Sequence, residues 1–390
     1  MPTTRTILET LIGFDTTSRN SNMALMDYIS GVLHDCGQKP ELVPNDDHSK
    51  ANLYCTIGPQ DKPGVMLSGH TDVVPVDGQD WTFPPFTMTE ADGRFYGRGT
   101  TDMKGYVASA LAAACKASTR SLKTPLHLAF SYDEEIGCVG VRSLIDVLDK
   151  SPIKPAMCIV GEPTNLAVAT SHKGKASISV QCIGREAHSA LAPGALNAIH
   201  LACEFVTAVR AKQNDIETAW RHANGSSAND PSEVPYTTVH VGRIVTTQAL
   251  NIVPRLCQVN FEIRHTADDD PSTIIEALKT DAKAIVEPYK ERFPEASIDF
   301  DIINAYPALD TPTSADVVSI VKKLVGANTT GYVAFGTEAG LFSEKLGIPT
   351  VVCGPGSMEQ GHKPDEYIDI EQLNRCDDMH AQLINWLEQH

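Results

Sequence analysis

Helical and strand patterns alternate along the first 165 residues, and this alternation limits the possible folds more than any other feature of the chain. Apolar residues recur either at helical spacing or in short β-prone runs. The predicted order is helix 4–13, helix 21–36, strands 52–57 and 65–67, helix 103–119, strand 126–131, helix 139–148 and strand 156–160. Such alternation predicts an α/β domain in which helices flank a sheet and a cleft opens beyond the strand ends.

The pattern changes near residue 175, where a second domain is predicted within the first. The predicted order is strand 175–183, helix 193–210, a polar surface loop 213–235, strands 236–245 and 256–264, helix 271–286 and strand 297–303. This β-α-β-β-α-β order is that of a ferredoxin-like α+β domain. A helix at 315–324, a strand at 350–353 and a helix from 371 then resume the α/β pattern. We therefore expect domain boundaries at 1–175, 176–305 and 306–390.

Charge and cysteine spacing exclude several classes of partner. The 390 residues carry a formal net charge of -17, which argues against binding to nucleic acid or to an anionic membrane. Apolar runs stay well short of the roughly 20 residues that span a bilayer, and the N-terminus does not resemble a signal peptide. Ten cysteines occur without a C-x-x-C pair. We therefore expect reduced thiols in a cytoplasmic protein.

Three short motifs end in residues that bind divalent cations: Ser68–Asp72, Gly97–Gly105 and Asp133–Glu135. In extended backbone, His70 and Asp72 point the same way, so Asp72 can orient a metal-binding imidazole. Taken alone, this pair also fits a surface histidine beside a loop acid. Asp102 lies in a glycine-rich turn, where it either bridges two cations or caps the helix that follows.

Three consecutive carboxylates at residues 133–135 repel one another unless cations compensate, although a solvated acidic turn is the plainer interpretation. In a metal site, one of Glu134 and Glu135 would bind the ion and its neighbour would remain free as a general base. Glu162 follows an apolar run, and His362 lies in a Gly/Pro-rich loop. Together these groups suffice for two zinc-like ions and one free carboxylate, which indicates hydrolysis of an amide by metal-activated water.

Two other classes of protein fit the motifs less well. Structural zinc sites are closed and favour cysteine, which is absent from the three motifs. A catalytically silent binding protein of the same fold would have no need for a free carboxylate beside its ligands.

The motifs Leu-Ser-Gly-His-Thr-Asp-Val-Val-Pro, Tyr-Gly-Arg-Gly-Thr-Thr-Asp-Met-Lys-Gly and Asp-Glu-Glu-Ile-Gly resemble those of the di-zinc amidohydrolase family, which includes deacetylases, desuccinylases, aminoacylases and carboxypeptidases. The resemblance runs nearly end to end. It implies that His70 and Glu162 bind one zinc ion, that Glu135 and His362 bind the other, and that Asp102 bridges them. Cobalt is a possible substitute.

The same resemblance assigns the remaining catalytic groups. It implies that Asp72 orients the zinc-bound histidine and that Glu134 is the general base. It also implies a cis peptide bond between Asp102 and Met103. The sequence Gly184-Arg-Glu-Ala-His188-Ser resembles the family's lid motif, whose histidine polarises the scissile carbonyl, often from the opposite subunit of a homodimer.

Substrate choice is indicated by the lid and by the late segment Phe335-Gly-Thr-Glu-Ala-Gly-Leu-Phe. Asn251 and Arg264 resemble lid positions that hold the substrate carboxylate. Desuccinylases carry Thr-Ser-Asp-Gly-Arg-Phe in the late loop, whereas this chain has Leu341, which suits a small acetyl group. The resemblance thus implies hydrolysis of N2-acetyl-L-ornithine, a step of arginine biosynthesis, with Glu338 facing the ornithine ammonium. Another acyl-amino-acid hydrolase or a dipeptidase is the alternative.

Overall fold

The computed structural model describes residues 1–224, 234–246 and 249–390. The chain divides into two compact units, of which one comprises Met1–His172 with Leu309–His390 and the other comprises Lys173–Ala308. The first unit is therefore assembled from two separate stretches of chain. The role of the second unit as a lid stays a prediction.

Helices and strands alternate through most of the described residues. The helices are α1 (Thr4–Ile12), α2 (Met23–Asp35), α3 (Gly105–Ala117), α4 (Val141–Lys150), α5 (Ala198–Asn224), α6 (Pro271–Val286), α7 (Asp316–Val325), α8 (Ala339–Leu346) and α9 (Ile370–Gln389). The strands are β1 (Glu41–Pro44), β2 (Ala51–Ile57), β3 (Val65–His70), β4 (Thr89–Ala91), β5 (Arg94–Tyr96), β6 (Leu126–Ser131), β7 (Met157–Pro163), β8 (Ala169–His172), β9 (Gly174–Ile183), β10 (Ala187–His188), β11 (Thr238–Val245), β12 (Ile252–Val253), β13 (Leu256–His265), β14 (Ser297–Tyr306), β15 (Leu309–Asp310), β16 (Gly331–Val333), β17 (Thr350–Gly354) and β18 (Tyr367–Asp369). Among the described residues, none of the helices combines the length and the apolar character needed to cross a bilayer.

A mixed sheet organises the first unit, with strand order β1-β2-β6-β3-β7-β17-β8-β15 and with β16 beside β8. The four central strands β6, β3, β7 and β17 are parallel, whereas the outer pairings of β1, β2 and β15 are antiparallel. Because parallel strands end at the same edge, residues that follow β3, β6, β7 and β17 are brought together there. The predicted α/β class with a mixed, helix-flanked sheet is confirmed.

Helix α3 packs against the centre of this sheet and is buried on nearly every side. Twelve of its thirteen residues are buried, and most are alanine or other small residues. Small side chains let the helix approach β3 and β7 closely. At Gly161, an added Cβ would lie 2.0 Å from the Tyr106 ring, so this position of β7 requires glycine. The helix that follows the Asp102 turn is thus fixed directly against the strand that carries Glu162.

The second unit contains a four-stranded antiparallel sheet with order β11-β13-β9-β14. Helices α5 and α6 pack together and contribute to one apolar core with the sheet. Its aromatic centre consists of Phe205, Phe261 and Phe300, whose rings meet edge to face. The chain order of these elements is the β-α-β-β-α-β order predicted from the sequence.

The predicted end of the first helix in this unit is wrong. Helix α5 continues to Asn224 instead of ending near residue 210, so the loop predicted over 213–235 is helical at least over 213–224. Tertiary contacts explain the difference, because Gln213 accepts a hydrogen bond from the Val239 amide at 2.6 Å and Ile216 packs against the apolar core. Residues 225–233 of that predicted loop lie outside the described residues. Helix α8 was not predicted either.

One pair of cysteines contradicts the expectation of reduced thiols throughout. Cys36, at the end of α2, and Cys115, in α3, form a disulfide with a Cα separation of 5.4 Å. The two positions are 79 residues apart, and only the packing of α2 against α3 brings them together. Sequence spacing carries no information about such a contact.

Helix α9 contains a buried histidine that should make the fold sensitive to acid. His380 is 1% exposed, and burial lowers its pKa to about 3. Its Nδ1 atom lies 2.8 Å from the Ser109 hydroxyl. The pKa of histidine in the unfolded chain is about 6.5. Below that pH the unfolded chain takes up a proton that the folded chain does not bind, so the free energy of unfolding decreases as the pH falls.

We therefore expect His380→Met to remove about 2 kcal/mol of the stability difference between pH 7 and pH 5, the interval in which only the unfolded imidazole takes up its proton. Urea unfolding of the EDTA-treated protein at both pH values measures this. The exposed His200 provides the control, because His200→Met should retain the wild-type difference. An unchanged difference in His380→Met would contradict the expectation.

Candidate metal centre

A first group of three donor side chains converges at the carboxyl edge of the central strands. His70 is the last residue of β3, and Glu162 lies near the end of the neighbouring β7. His70 Nε2 is 3.0 Å from Asp102 Oδ1 and 3.6 Å from Glu162 Oε1. All three side chains are buried. The parallel strands β3 and β7 thus supply the imidazole and one carboxylate, and the turn before α3 supplies the other carboxylate, Asp102.

A second group shares Asp102 with the first. Asp102 Oδ2 lies 3.0 Å from His362 Nε2, which is in turn 3.1 Å from Glu135 Oε2. Glu135 lies in the connection after β6, and His362 lies in the connection after β17. The two carboxylate oxygens of Asp102 therefore face different groups, which is the arrangement required of a bridging ligand.

The spacing of these donors fits a small divalent cation. Zinc bonds of 2.0–2.1 Å in tetrahedral geometry place neighbouring ligand atoms about 3.3 Å apart. The observed nitrogen–oxygen separations are 3.0–3.6 Å. Glu135 Oε1 is buried and has no hydrogen-bond partner among the described residues, which leaves it available to an ion. The donor set of imidazoles and carboxylates is one that zinc and cobalt accept.

The turn that carries Asp102 has an unusual backbone. Gly99 has a φ of 86°, in the left-handed region, and an added Cβ there would lie 2.8 Å from Val73. The Asp102–Met103 peptide bond is cis, which confirms the expectation drawn from the family resemblance. The residue at the N-cap position of α3 is Lys104, and the Asp102 carboxylate oxygens face His70 and His362 instead of the first amides of the helix. The alternative of a simple capping residue therefore does not apply.

Asp72 connects the first group to the acidic segment that follows β6. His70 Nδ1 lies 3.0 Å from the Asp72 backbone carbonyl and 3.5 Å from its carboxylate. The Asp72 carboxylate also accepts hydrogen bonds from the backbone amides of Glu134 and Glu135, at 3.1 and 3.2 Å. The geometry agrees with the predicted orienting role, and it shows a second contact that holds the paired glutamates.

The three consecutive acids after β6 point in different directions. Asp133 forms an ion pair with Lys50 at 2.6 Å and takes no part in either donor group. Glu135 belongs to the second group, whereas Glu134 belongs to neither. The Cys138 thiol donates a weak hydrogen bond to Glu134 Oε1 at 3.4 Å. The pair thus contains one potential ligand and one carboxylate that remains outside the ligand sets.

Burial dominates the electrostatics of this region. It raises the pKa of Glu134 and Glu162 well above the usual range, and that of Glu135 to about 7. Hydrogen bonds to Asp102 and Glu135 raise the pKa of His362 to about 10. The pKa of Asp102 lies below its usual value. Burial disfavours the ionised carboxylate, but the neighbouring His362 and His70 favour it more strongly. Divalent cations would relieve the repulsion among these buried carboxylates.

The predicted lid residues lie in the second unit. His188 ends β10 and is paired with Ile252 of β12, and the amide of Ser189 donates to the Asn251 carbonyl at 2.9 Å. This antiparallel pairing of β10 and β12 brings His188 and Asn251 close together, and both residues are exposed. Arg264, on β13, donates to Glu262 at 3.1 Å and to the Tyr306 hydroxyl at 3.2 Å.

Glu338 is buried at the start of α8 in the first unit, with 1% of its surface exposed. Its carboxylate oxygens have no hydrogen-bond partner among the described residues. Burial raises its pKa to about 7. Its predicted contact with a substrate ammonium stays a prediction.

Sequence reasoning missed three residues that support the site. The Ser18 hydroxyl donates to Asp72 at 2.7 Å, Lys50 neutralises Asp133, and Glu366 accepts amide hydrogen bonds from the Asp102 turn. Ser18 and Lys50 are distant in sequence from the motifs and carry no local signal. Glu366 follows His362 by four residues, and this acid in the same loop was the available signal.

Comparison with known proteins places the chain in a family. Residues 66–386 match the sequence model of Peptidase family M20/M25/M40. The chain therefore belongs to this family of metal-dependent hydrolases. Curated relatives include an acetylornithine deacetylase from Yersinia pseudotuberculosis, 33% identical over 377 residues, which cover 95% of this chain and 92% of that protein. An acetylornithine deacetylase from Pasteurella multocida is 32% identical over 378 residues, covering 96% and 94%.

Solved structures share the fold. An M20 family metallo-carboxypeptidase from Sulfolobus solfataricus superposes with a TM-score of 0.79 at 20% identity, covering 100% of each chain. A dinuclear metal-binding peptidase of the M20 family from Bacillus subtilis superposes with a TM-score of 0.69 at 15% identity, covering 99% of this chain and 98% of that one.

We expect the protein to bind two divalent ions per chain and His362→Ala to bind about one, because the second group loses its only imidazole while the first group stays intact. Zinc content after dialysis, measured by mass spectrometry, tests this. His48 provides a matched control, since it is an exposed loop histidine with a similar φ of 58°. Two ions retained in His362→Ala would contradict the assignment, whereas His48→Ala should retain both.

Proposed function

We propose that the protein is a two-zinc amidohydrolase that converts N2-acetyl-L-ornithine to L-ornithine and acetate. The observation that carries this proposal is the pair of donor groups that share Asp102, with the carboxylate of Glu134 beside them but outside both. The names of the curated relatives support the substrate. The first ion would be held by His70, Glu162 and Asp102, and the second by Asp102 together with Glu135 and His362.

Two bound zinc ions would polarise the amide carbonyl and lower the pKa of a water between them. Glu134 would accept a proton from the attacking water at a carboxylate oxygen while the water oxygen bonds to the carbonyl carbon. It would then donate that proton to the amide nitrogen as the C–N bond breaks, which releases the amine and acetate. Asp72 would keep the His70 imidazole in place through Nδ1 and would hold the backbone of the glutamate pair.

The second unit would complete the site in the role of a lid. His188 would donate a hydrogen bond to the oxygen that becomes negative in the transition state, and in a homodimer it would serve the partner subunit. Asn251 and Arg264 would hold the substrate carboxylate. The forked guanidinium of Arg264 suits a carboxylate better than a lysine would. Chemistry would then require closure of the lid.

Substrate selectivity would follow from the late loop. Leu341 is buried in α8, where desuccinylases carry an arginine, so the acyl pocket offers no cation for a second carboxylate at that position. Glu338 is a buried carboxyl near His70 and Asp72 whose pKa is raised to about 7, and a substrate ammonium beside it would favour its ionised form. Another acyl-amino-acid hydrolase activity is the alternative, and a substrate panel distinguishes the two.

Glu134→Ala should retain both metal ions and lose at least about 10²-fold in kcat, because loss of the general base removes the proton transfer while the ligands remain. Metal analysis and steady-state kinetics on the same preparation measure this. Glu371→Ala, at an exposed position of α9, is the control for effects of substitution and purification that do not involve the site. A near-wild-type rate in Glu134→Ala would exclude it as the base, and activity that persists without metal would exclude the proposed chemistry.

The kcat/KM for N2-acetyl-L-ornithine should exceed that for succinyl-diaminopimelate by about 10²-fold or more, because the second carboxylate of the latter would be buried without a cation. A panel with acetyl-ornithine, other acetyl-amino acids, succinyl-diaminopimelate and dipeptides measures this preference. The desuccinylase alternative is correct if succinyl-diaminopimelate is the better substrate.

Arg264→Ala should weaken turnover of every substrate that carries an α-carboxylate, and Arg264→Lys should restore only part of it. Arg243→Ala is the matched control, since Arg243 is an exposed arginine on the neighbouring strand β11. Equal kcat/KM values in Arg264→Ala and the wild type would remove Arg264 from the substrate site.

A further inference from the structure

Glu366 is a buried carboxylate that the proposed chemistry does not use. It lies just before β18 with 1% of its surface exposed. Oε1 accepts hydrogen bonds from the amides of Thr101 and Asp102, at 2.9 and 3.1 Å, and Oε2 accepts one from Gly99 at 3.0 Å. Arg98, itself 0% exposed, donates to Oε2 at 2.6 Å. Four donors thus fix one carboxylate, and all belong to the segment that ends at Asp102.

The backbone of that segment forms an anion receptor. Gly99 has a left-handed φ of 86°, and the amides of Gly99, Thr101 and Asp102 point toward one carboxylate, while the Thr100 amide donates to the Gly97 carbonyl. Concave arrangements of successive N–H groups bind anions in many proteins. Here the anion is the protein's own Glu366, so the receptor fixes the chain instead of binding an external ligand. Its position determines where the Asp102 backbone lies.

Further hydrogen bonds join the same two segments. The Gly97 amide donates to the Glu366 carbonyl at 2.9 Å, and Arg98 also donates to the Lys363 carbonyl at 3.3 Å. Lys363 directly follows His362, the imidazole of the second donor group. Segment 97–102, which presents Asp102, and segment 362–366, which presents His362, are therefore connected by contacts that involve no metal ligand side chain.

The two donor groups differ in how they are supported. His70 ends β3, where it pairs with Ser131 of β6, and Glu162 lies in β7 between Val160 and Pro163, which pair with β17. Glu135 and His362 lie in connections after β6 and β17, and His362 has a left-handed φ of 63°. The second group therefore depends more strongly on contacts outside the sheet.

We propose that Glu366 is a positioning residue for the metal pair, which holds Asp102 at the correct distance from His362 and thereby sets the affinity for the second ion. This inference rests on the two-ion site proposed above. Supporting groups around metal ligands typically contribute 10- to 100-fold to metal affinity. We expect an effect of that size on the second ion and little effect on the first.

Glu366→Gln is the central variant, because it keeps the size of the side chain but places an amide donor among the amide and guanidinium donors. EDTA-stripped protein is titrated with Zn²⁺ by calorimetry, and in parallel with Co²⁺ by absorption spectroscopy. The first binding step should match the wild type, and the dissociation constant of the second should rise about 10- to 100-fold. Excess metal should then restore kcat. It would not restore kcat if the substitution had damaged the fold.

Two further variants make the result decisive. Glu366→Asp keeps the charge beside Arg98 but shortens the side chain, so it should show the same selective weakening, and it decides the question if Glu366→Gln does not fold. Asp369→Asn is the matched control, since Asp369 lies on β18 and pairs with Arg94 at 3.0 Å at the surface. It should leave both binding steps unchanged.

The outcomes separate this inference from the proposed function. Wild-type affinity for both ions in Glu366→Gln would overturn the positioning role, as would equal weakening of both ions in Glu366→Gln and Glu366→Asp. If the wild-type protein binds a single ion, the two-ion function fails instead, and the inference fails with it.

Discussion

The sharing of one carboxylate, Asp102, between two groups of donors is the constraint on which the site depends. Asp102 must present one oxygen to His70 and the other to His362, at 3.0 Å in both cases. Three further carboxylates lie around it, and burial raises the pKa of each. So much negative charge in a dry location is costly unless cations and imidazoles compensate. The fold therefore concentrates charge at a place where divalent ions stabilise it.

The sheet and two internal carboxylates share the task of holding this arrangement. Parallel strands bring His70, Glu162 and the segment after β6 to one edge, whereas the Asp102 motif follows β5, a strand of a separate three-stranded antiparallel sheet. Asp72 and Glu366 then act on backbone amides: the first holds the glutamate pair after β6, and the second holds the turn of Asp102. Both use a negatively charged acceptor for several N–H donors, the stronger class of hydrogen bond.

The two units divide the chemistry in the proposed function. The first unit holds both donor groups and Glu134, which are features of a general amide hydrolase. The second unit carries His188 and Asn251 at its two-stranded β10–β12 sheet and Arg264 on its four-stranded sheet. The two solved structures compared above, at 20% and 15% identity, are named as peptidases, whereas the two curated relatives at 33% and 32% identity are named acetylornithine deacetylases. Family membership thus defines the reaction class, and the residues around the substrate decide which amide is cleaved.

The sequence by itself determined the order of the elements and the positions of the motifs. Strand β6 and helix α6 have the predicted bounds, because a strongly apolar run and a capped, periodic segment carry local signals. His70, Asp102 and Glu135 could be named as candidate ligands because each occurs in one of the three motifs. Glu162 could be named because it follows an apolar run, and His362 because it lies in a Gly/Pro-rich loop. Only the tertiary structure decided what depends on contacts between distant segments: the ion pair that draws Asp133 away to Lys50, the continuation of α5 to Asn224, the disulfide between Cys36 and Cys115, and the hold of Glu366 on the Asp102 turn. Local patterns record which residues are present, but the partner of a buried charge is set by packing across the whole chain.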